Sequence, residues 1–130
     1  MNEIINKYQE TFFSDLTEKD KDEIYFNQYM WHAFSYEKIS SIQGEEAINE
    51  FAKMCKNEVY IFLEHDDAVL EEKDVTLKKL FEILEHSKEI GYDCYVVSKD
   101  FTWTFVTTHE TQYNDGIYHY IGPFFKMIYK

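Results

Sequence analysis

The chain has 130 residues, enough for one domain whose folding buries roughly two-thirds of the unfolded surface without disulfide staples. Its formal net charge of −12 at pH 7 repels phosphate backbones, which argues against nucleic acid as a direct partner, while the same field draws in a basic protein. No apolar run approaches the roughly 20 residues that span a bilayer, and the opening MNEIINKYQE lacks a basic segment followed by an apolar one, so a cytoplasmic protein without a signal peptide is expected.

The first recognisable element begins in DLTEKDKDEIY. Thr17 or Asp20 can cap a helix there, acids crowd its first turn, and Glu23 sits three residues after Asp20 in capping-box register. The helix is expected over residues 21–34, with Ile24, Tyr25, Phe26, Tyr29, Met30, Trp31 and Phe34 making it apolar on more than one side. A second helix fits residues 44–56, where Ala47, Ile48, Phe51, Ala52 and Cys55 recur at three and four. EVYIFLEH is apolar on both faces over residues 59–63 and reads as a central strand. DDAVLEEKDV follows as an acidic loop, and Asp74 can cap a third helix whose stripe is Leu77, Leu80, Phe81 and Leu84. Gly91 stands where a left-handed C-terminal cap is expected.

DCYVV is again apolar on both faces, and SKD makes a tight turn into FTWTFVTTHE, which alternates as a strand does. YNDGIY carries an Asp-Gly hairpin signal and IYHYI returns as the next strand. Gly122-Pro123 interrupts that strand, and PFFKMIYK fits a short closing helix with proline in its first turn. The fold class is therefore α+β: a single domain over residues 1–130 with a mixed four-stranded sheet and helices mainly on one face. Residues 59–63 and 95–97 are its inner strands, expected to pair in parallel across a right-handed crossover, and the last three strands form an antiparallel meander.

Chemistry-bearing residues are scattered. Phe101, Trp103 and Phe105 share a strand face that either packs under the helices or lines a ligand groove. His109 and Glu110 point to opposite sides of a continuing strand, and HETQY lacks the second histidine of a zinc-protease motif. Glu64, His65, Asp66 and Asp67 crowd the end of a central strand, where sites gather in sheets with helical crossovers. They match no defined metal loop, and with Glu71, Glu72 and Asp74 they read as a solvated or partner-facing acidic run. His32, His86 and His119 fall on different elements, and Cys55 and Cys94 suit buried thiols better than a bridge or a metal pair. The nucleophile elbow, the P-loop and G-x-G-x-x-G are absent, so no catalytic residue, cofactor or metal is assigned.

Three segments, WHAFS at residues 31–35, YVVSKDFTWTFVTTHE at 95–110 and GPFF at 122–125, together resemble a family of small uncharacterised proteins from Bacillus and related bacteria. The resemblance spans residue 21 to the end, implies a bacterial protein, and brings no catalytic residues, because that family has no assigned reaction. Function then rests on charge and aromatic content. The leading expectation is a protein-binding module of immunity or inhibitor type acting on a basic partner, with Asp66, Asp67, Glu71, Glu72, Trp31, Trp103 and His109 as the binding residues. The alternatives are a metal-dependent or acid/base hydrolase at the Glu64–Asp67 corner and a small-ligand sensor using the Trp103 strand face.

Overall fold

The structure, a computed structural model, describes residues 2–54, 56–85, 93–109, 112–113, 117–118 and 122–128. It begins with a helix that the sequence reading did not include, α1 (Glu3–Phe12). The Asn2 side chain caps it, accepting from the Ile4 N–H at 2.7 Å, and Ile5, Tyr8 and Phe12 are buried along one stripe. The next helix, α2 (Glu18–Glu23), is closed by a capping box between Thr17 and Asp20 rather than between Asp20 and Glu23. The Asp20 N–H donates to Thr17 Oγ1 and the Thr17 N–H to Asp20 Oδ2, both at 3.0 Å.

The helix expected over residues 21–34 breaks. Tyr25 takes a left-handed backbone with φ 56°, and helix returns only as the single turn α3 (His32–Ser35). The cause lies in the apolar residues, which are too many for one face of a helix. The break buries Ile24, Phe26, Met30, Trp31 and Phe34 together while leaving Tyr25 63% exposed.

The chain continues through β1 (Ile42–Gln43), α4 (Glu45–Met54), β2 (Glu58–Leu63), β3 (Val69–Lys73), α5 (Leu77–Glu85), β4 (Cys94–Ser98) and β5 (Trp103–Thr107). It then passes β6 (Gln112–Tyr113), β7 (Ile117–Tyr118) and β8 (Phe124–Met127). The α+β class stands, but the mixed four-stranded sheet does not. One sheet has six strands in the order β1-β8-β5-β4-β2-β3, antiparallel throughout, and β6 pairs with β7 in a separate two-stranded sheet.

Residues 59–63 and 95–97 are inner strands as expected, yet they pair antiparallel, with Ile61 opposite Val96. The reason is the segment read as an acidic loop. It is strand β3, which reverses the chain beside β2 before α5 begins. The crossover through α5 therefore joins β3 to β4, which run parallel with β2 between them. The hairpin closes over His65, whose φ is 61°, with the Asp66 N–H donating to the Leu63 carbonyl at 3.2 Å and the Ala68 N–H to Asp66 Oδ1 at 2.9 Å. Asp74 does not cap α5; it adopts φ 57°, and Thr76 Oγ1 accepts from the Lys79 N–H at 3.1 Å instead.

The closing segment is strand β8 and not a helix. Phe124 and Phe125 are both buried, on opposite faces of the sheet, a period-two arrangement that a helix cannot give. Gly122 precedes it at φ 83°, where an added Cβ would lie 3.1 Å from the Phe124 ring and 3.3 Å from Thr108. The strand beside β5 is thus β8, and the expected returning strand belongs to the β6–β7 pair. Gly91 and the Asp-Gly pair itself lie outside the described residues.

Helices cover both faces of the sheet, not mainly one. The segments from α1 to α3 pack on Phe62, Tyr95, Val97, Val106 and Phe124. The other face, Val59, Ile61, Cys94, Val96, Trp103, Phe105 and Phe125, packs under α4 and α5. Phe101 leaves the alternation of its stretch: with φ 58° it turns into the first of these cores, away from Trp103 and Phe105.

Candidate functional site

The face covered by α1 to α3 holds a buried polar cluster around Trp31. Glu64, at the end of β2, offers Oε1 to two donors, the Met30 N–H at 2.9 Å and the Tyr95 hydroxyl in a short hydrogen bond. The Tyr95 oxygen in turn accepts from the Trp31 N–H at 3.0 Å. Asp93, just before β4, accepts the Trp31 indole N–H at 2.8 Å and the His109 backbone N–H at 3.1 Å. The His109 ring completes the set: a carboxylate only accepts, so Nδ1 donates to Asp93, at 3.1 Å from Oδ1. Tyr29 stacks on Trp31 with centroids 5.2 Å apart, and His109 leans on both rings. Sheet and α3 are thereby joined through hydrogen bonds amid the apolar residues of that face.

This cluster sets the state of Glu64. Burial pushes its carboxyl up to about 7 from an ordinary 4.5; the bonds from Tyr95 and the Met30 N–H, with nearby His65, pull it down, and Asp93 pushes it up. Burial, with Glu64 beside it, holds the Tyr95 phenol well above its usual range. His65 is fixed by donation from Nε2 to the Gln28 carbonyl at 2.7 Å.

Glu64 also lines a cleft of about 430 Å³ between α2 and the β2–β3 turn. Glu18 from α2 and Asp66 and Asp67 from the turn stand on its walls, with Lys21 and His65 as the basic side chains among its lining. Two acid-bearing segments more than forty residues apart in the chain thus face one hollow. A carboxyl that titrates near neutrality there favours its charged form when a cation enters.

The expected binding residues come together only in part: Trp31 and His109 meet at Asp93, Asp66 and Asp67 share the cleft, and Trp103 lies apart on the other face of the sheet. Asp66, Asp67, Glu71 and Glu72 lie in or after the β2–β3 turn at the surface or partly exposed. Trp31 is buried, its N–H groups committed to Tyr95 and Asp93. Trp103 is buried as well, stacked on Phe125 and edge-on to Phe51, so its strand face is core and not a groove. His109 is half-exposed and partnered by Asp93. Glu110, His86, His119 and Cys55 lie outside the described residues; Cys94 is a buried free thiol. Among the described residues no three histidine, cysteine, aspartate or glutamate side chains are grouped to hold a metal ion, and no helix is long and apolar enough to cross a membrane.

Residues 3–125 match the family described as a domain of unknown function, DUF4275. The chain belongs to that family. No curated protein and no solved structure matches it. The match covers both acid-bearing segments and the Trp31 cluster of this DUF4275 domain. Sequence reasoning missed Asp93 and Tyr95 in that cluster. The signal for Asp93 was available, because a buried Trp31 needs an acceptor for its indole N–H; Tyr95 was hidden in an all-apolar strand whose hydroxyl pattern says nothing of its partner.

Proposed function

We propose that this domain is a protein-binding module of immunity or inhibitor type that engages a basic partner in the bacterial cytoplasm. The observation that carries this reading is the convergence of Glu18, Glu64, Asp66 and Asp67 on one cleft of a chain with net charge −12. Carboxylates gathered from separate segments create a local field that concentrates cationic groups. Apolar anchors are also at hand: Tyr25, Tyr36 and Leu70 are the large hydrophobic residues left exposed among those described. The net effect is a surface that recruits through charge and holds through a few buried side chains.

The test is capture at low salt from a lysate of the host, with wild-type chain and the triple variant Asp67→Lys, Glu71→Lys, Glu72→Lys as parallel baits. The expected result is a basic protein retained by the wild type and lost from the variant. An acidic protein, or one retained equally by both baits, contradicts the reading. Asp66 is left intact because its side chain closes the hairpin turn.

A further inference from the structure

The two edges of the six-stranded sheet are built differently. At one edge β1 has two residues, and a short edge strand offers little to pair with. At the other, β3 has five residues in unbroken one-to-one register with β2, from Glu58 opposite Lys73 to Phe62 opposite Val69. No proline, bulge or covering segment among the described residues blunts it, and its outer backbone groups pair with no other backbone group among them; at its end the Lys73 carbonyl accepts from Lys79 Nζ at 3.1 Å. Such a row of unpaired N–H and C=O groups is a template for another strand.

We propose that the outer edge of β3 is a docking site for an extended basic segment of a partner protein, which adds to the sheet as a seventh strand. The proposal rests on the basic-partner reading above and gives that partner a contact along β3, beside the cleft. Residues opposite one another in a sheet share a face, so β3 dictates what the added strand carries. Leu70 is 47% exposed and borders an apolar hollow of about 160 Å³ with Leu63 and Ile83, so the residue facing Leu70 is apolar. Those facing Glu71 and Glu72 are lysine or arginine. The present partners of these acids, Lys99 at 3.0 Å from Glu71 and Lys79 at 3.6 Å from Glu72, are surface pairs that exchange readily.

Charge also selects the occupant. Residues 66–74 carry Asp66, Asp67, Glu71, Glu72 and Asp74 against Lys73 alone. A second copy of the chain would bring the same acids alongside, and like charges opposite one another destabilise a strand pair. Charged edges of this kind repel acidic strands and disfavour neutral ones, which would desolvate the carboxylates without compensation, whereas a basic strand pairs with them.

The experiment uses the full chain and capped heptapeptides followed by amide NMR at low salt. The parent peptide has two lysines and a valine at its centre between threonines. Two further versions are N-methylated at alternate residues in the two possible phases, and one replaces lysine by glutamate. The expected result is saturable binding of the parent, with shifts centred on residues 69–73 and at least tenfold slower exchange of the outward β3 amides. One methylated phase weakens binding about tenfold or more, the glutamate version does not bind, and Leu70→Thr weakens the parent several-fold. If both methylated peptides bind like the parent, or the shifts centre on the Glu64 cleft, strand addition is wrong while recognition of a basic partner survives. If no basic peptide binds at low salt, both readings fail. Concentration-dependent self-association through β3 overturns the choice of occupant.

Discussion

The two tryptophans are nearly equally buried, and both touch aromatic rings, but only Trp31 sits in a network of part-buried acids and the Tyr95 hydroxyl. Trp103, under α4, has aromatic neighbours: Phe125 stacks on it at 5.7 Å, Phe51 meets it edge-on at 6.1 Å, and Phe105 stacks in turn on Phe51 at 4.2 Å. Trp31, on the other face, is fixed by hydrogen bonds to Asp93 and Tyr95 and linked through Tyr95 to Glu64. One face of the sheet is dispersion and hydrophobic burial; the other places a titrating carboxyl next to an open cleft. The lesson is that burial alone does not mark a residue as inert, since what a buried ring is bonded to decides whether its surroundings respond to charge.

Truncation separates the faces most strongly. Trp103→Ala is expected to lower stability by roughly 3–5 kcal/mol, because the surrounding rings relax only partly into the cavity; urea unfolding checks it, and an unchanged midpoint would deny Trp103 its place in the core. The next effect is one of pH. Glu64 has a folded value of about 7 above an ordinary 4.5, so the stability tied to its protonated form is complete below pH 4.5 and is lost as pH rises through 7. That loss is roughly 2–3 kcal/mol, allowing about 1.4 kcal/mol per pKa unit and some solvent access. Glu64→Gln, which keeps an acceptor for Tyr95 and Met30, should remove this fall, so that unfolding curves of variant and wild type diverge from pH 5 to 8. Parallel curves would mean that Glu64 is ionised throughout.

Trp31→Phe keeps most of the ring but leaves Asp93 without the indole N–H, at an expected cost of about 2 kcal/mol. The loss should shift the ring-proton signals of His109, which Asp93 also holds, whereas Trp103→Phe should leave them in place. Smallest of all, Glu71→Gln with Glu72→Gln should change stability by less than about 0.5 kcal/mol, as exposed pairs contribute little.

The inner strands were legible because residues 59–63 and 95–97 are apolar on both faces, and the stripes of α4 and α5 because Ala47, Phe51, Leu80 and Leu84 recur at helical spacing. Strand β3 was not, because VLEEK carries the charges that suit a sheet edge and so imitates a loop. That one omission changed the pairing of β2 with β4 from antiparallel to parallel. The α2–α3 break was hidden by an aromatic run that satisfies a helical pattern locally, while tertiary packing sent its residues elsewhere. Of the site, the acids at residues 66–72 were readable from charge. The Glu64–Tyr95–Trp31–Asp93–His109 chain was not, since it joins five residues from four separate parts of the sequence by geometry alone.

Recruitment of a basic protein through the acids of α2 and the β2–β3 hairpin is the proposed role. It is tested most directly by the association rate constant with the captured partner, measured across ionic strength. Exposed charges steer over roughly 10 Å at 0.1 M salt and about 3 Å at 1 M. The account predicts a rate that falls at least about tenfold over that range, with Asp67→Lys, Glu71→Lys, Glu72→Lys already slow at low salt and nearly insensitive to it. A rate indifferent to salt and to these reversals would contradict it.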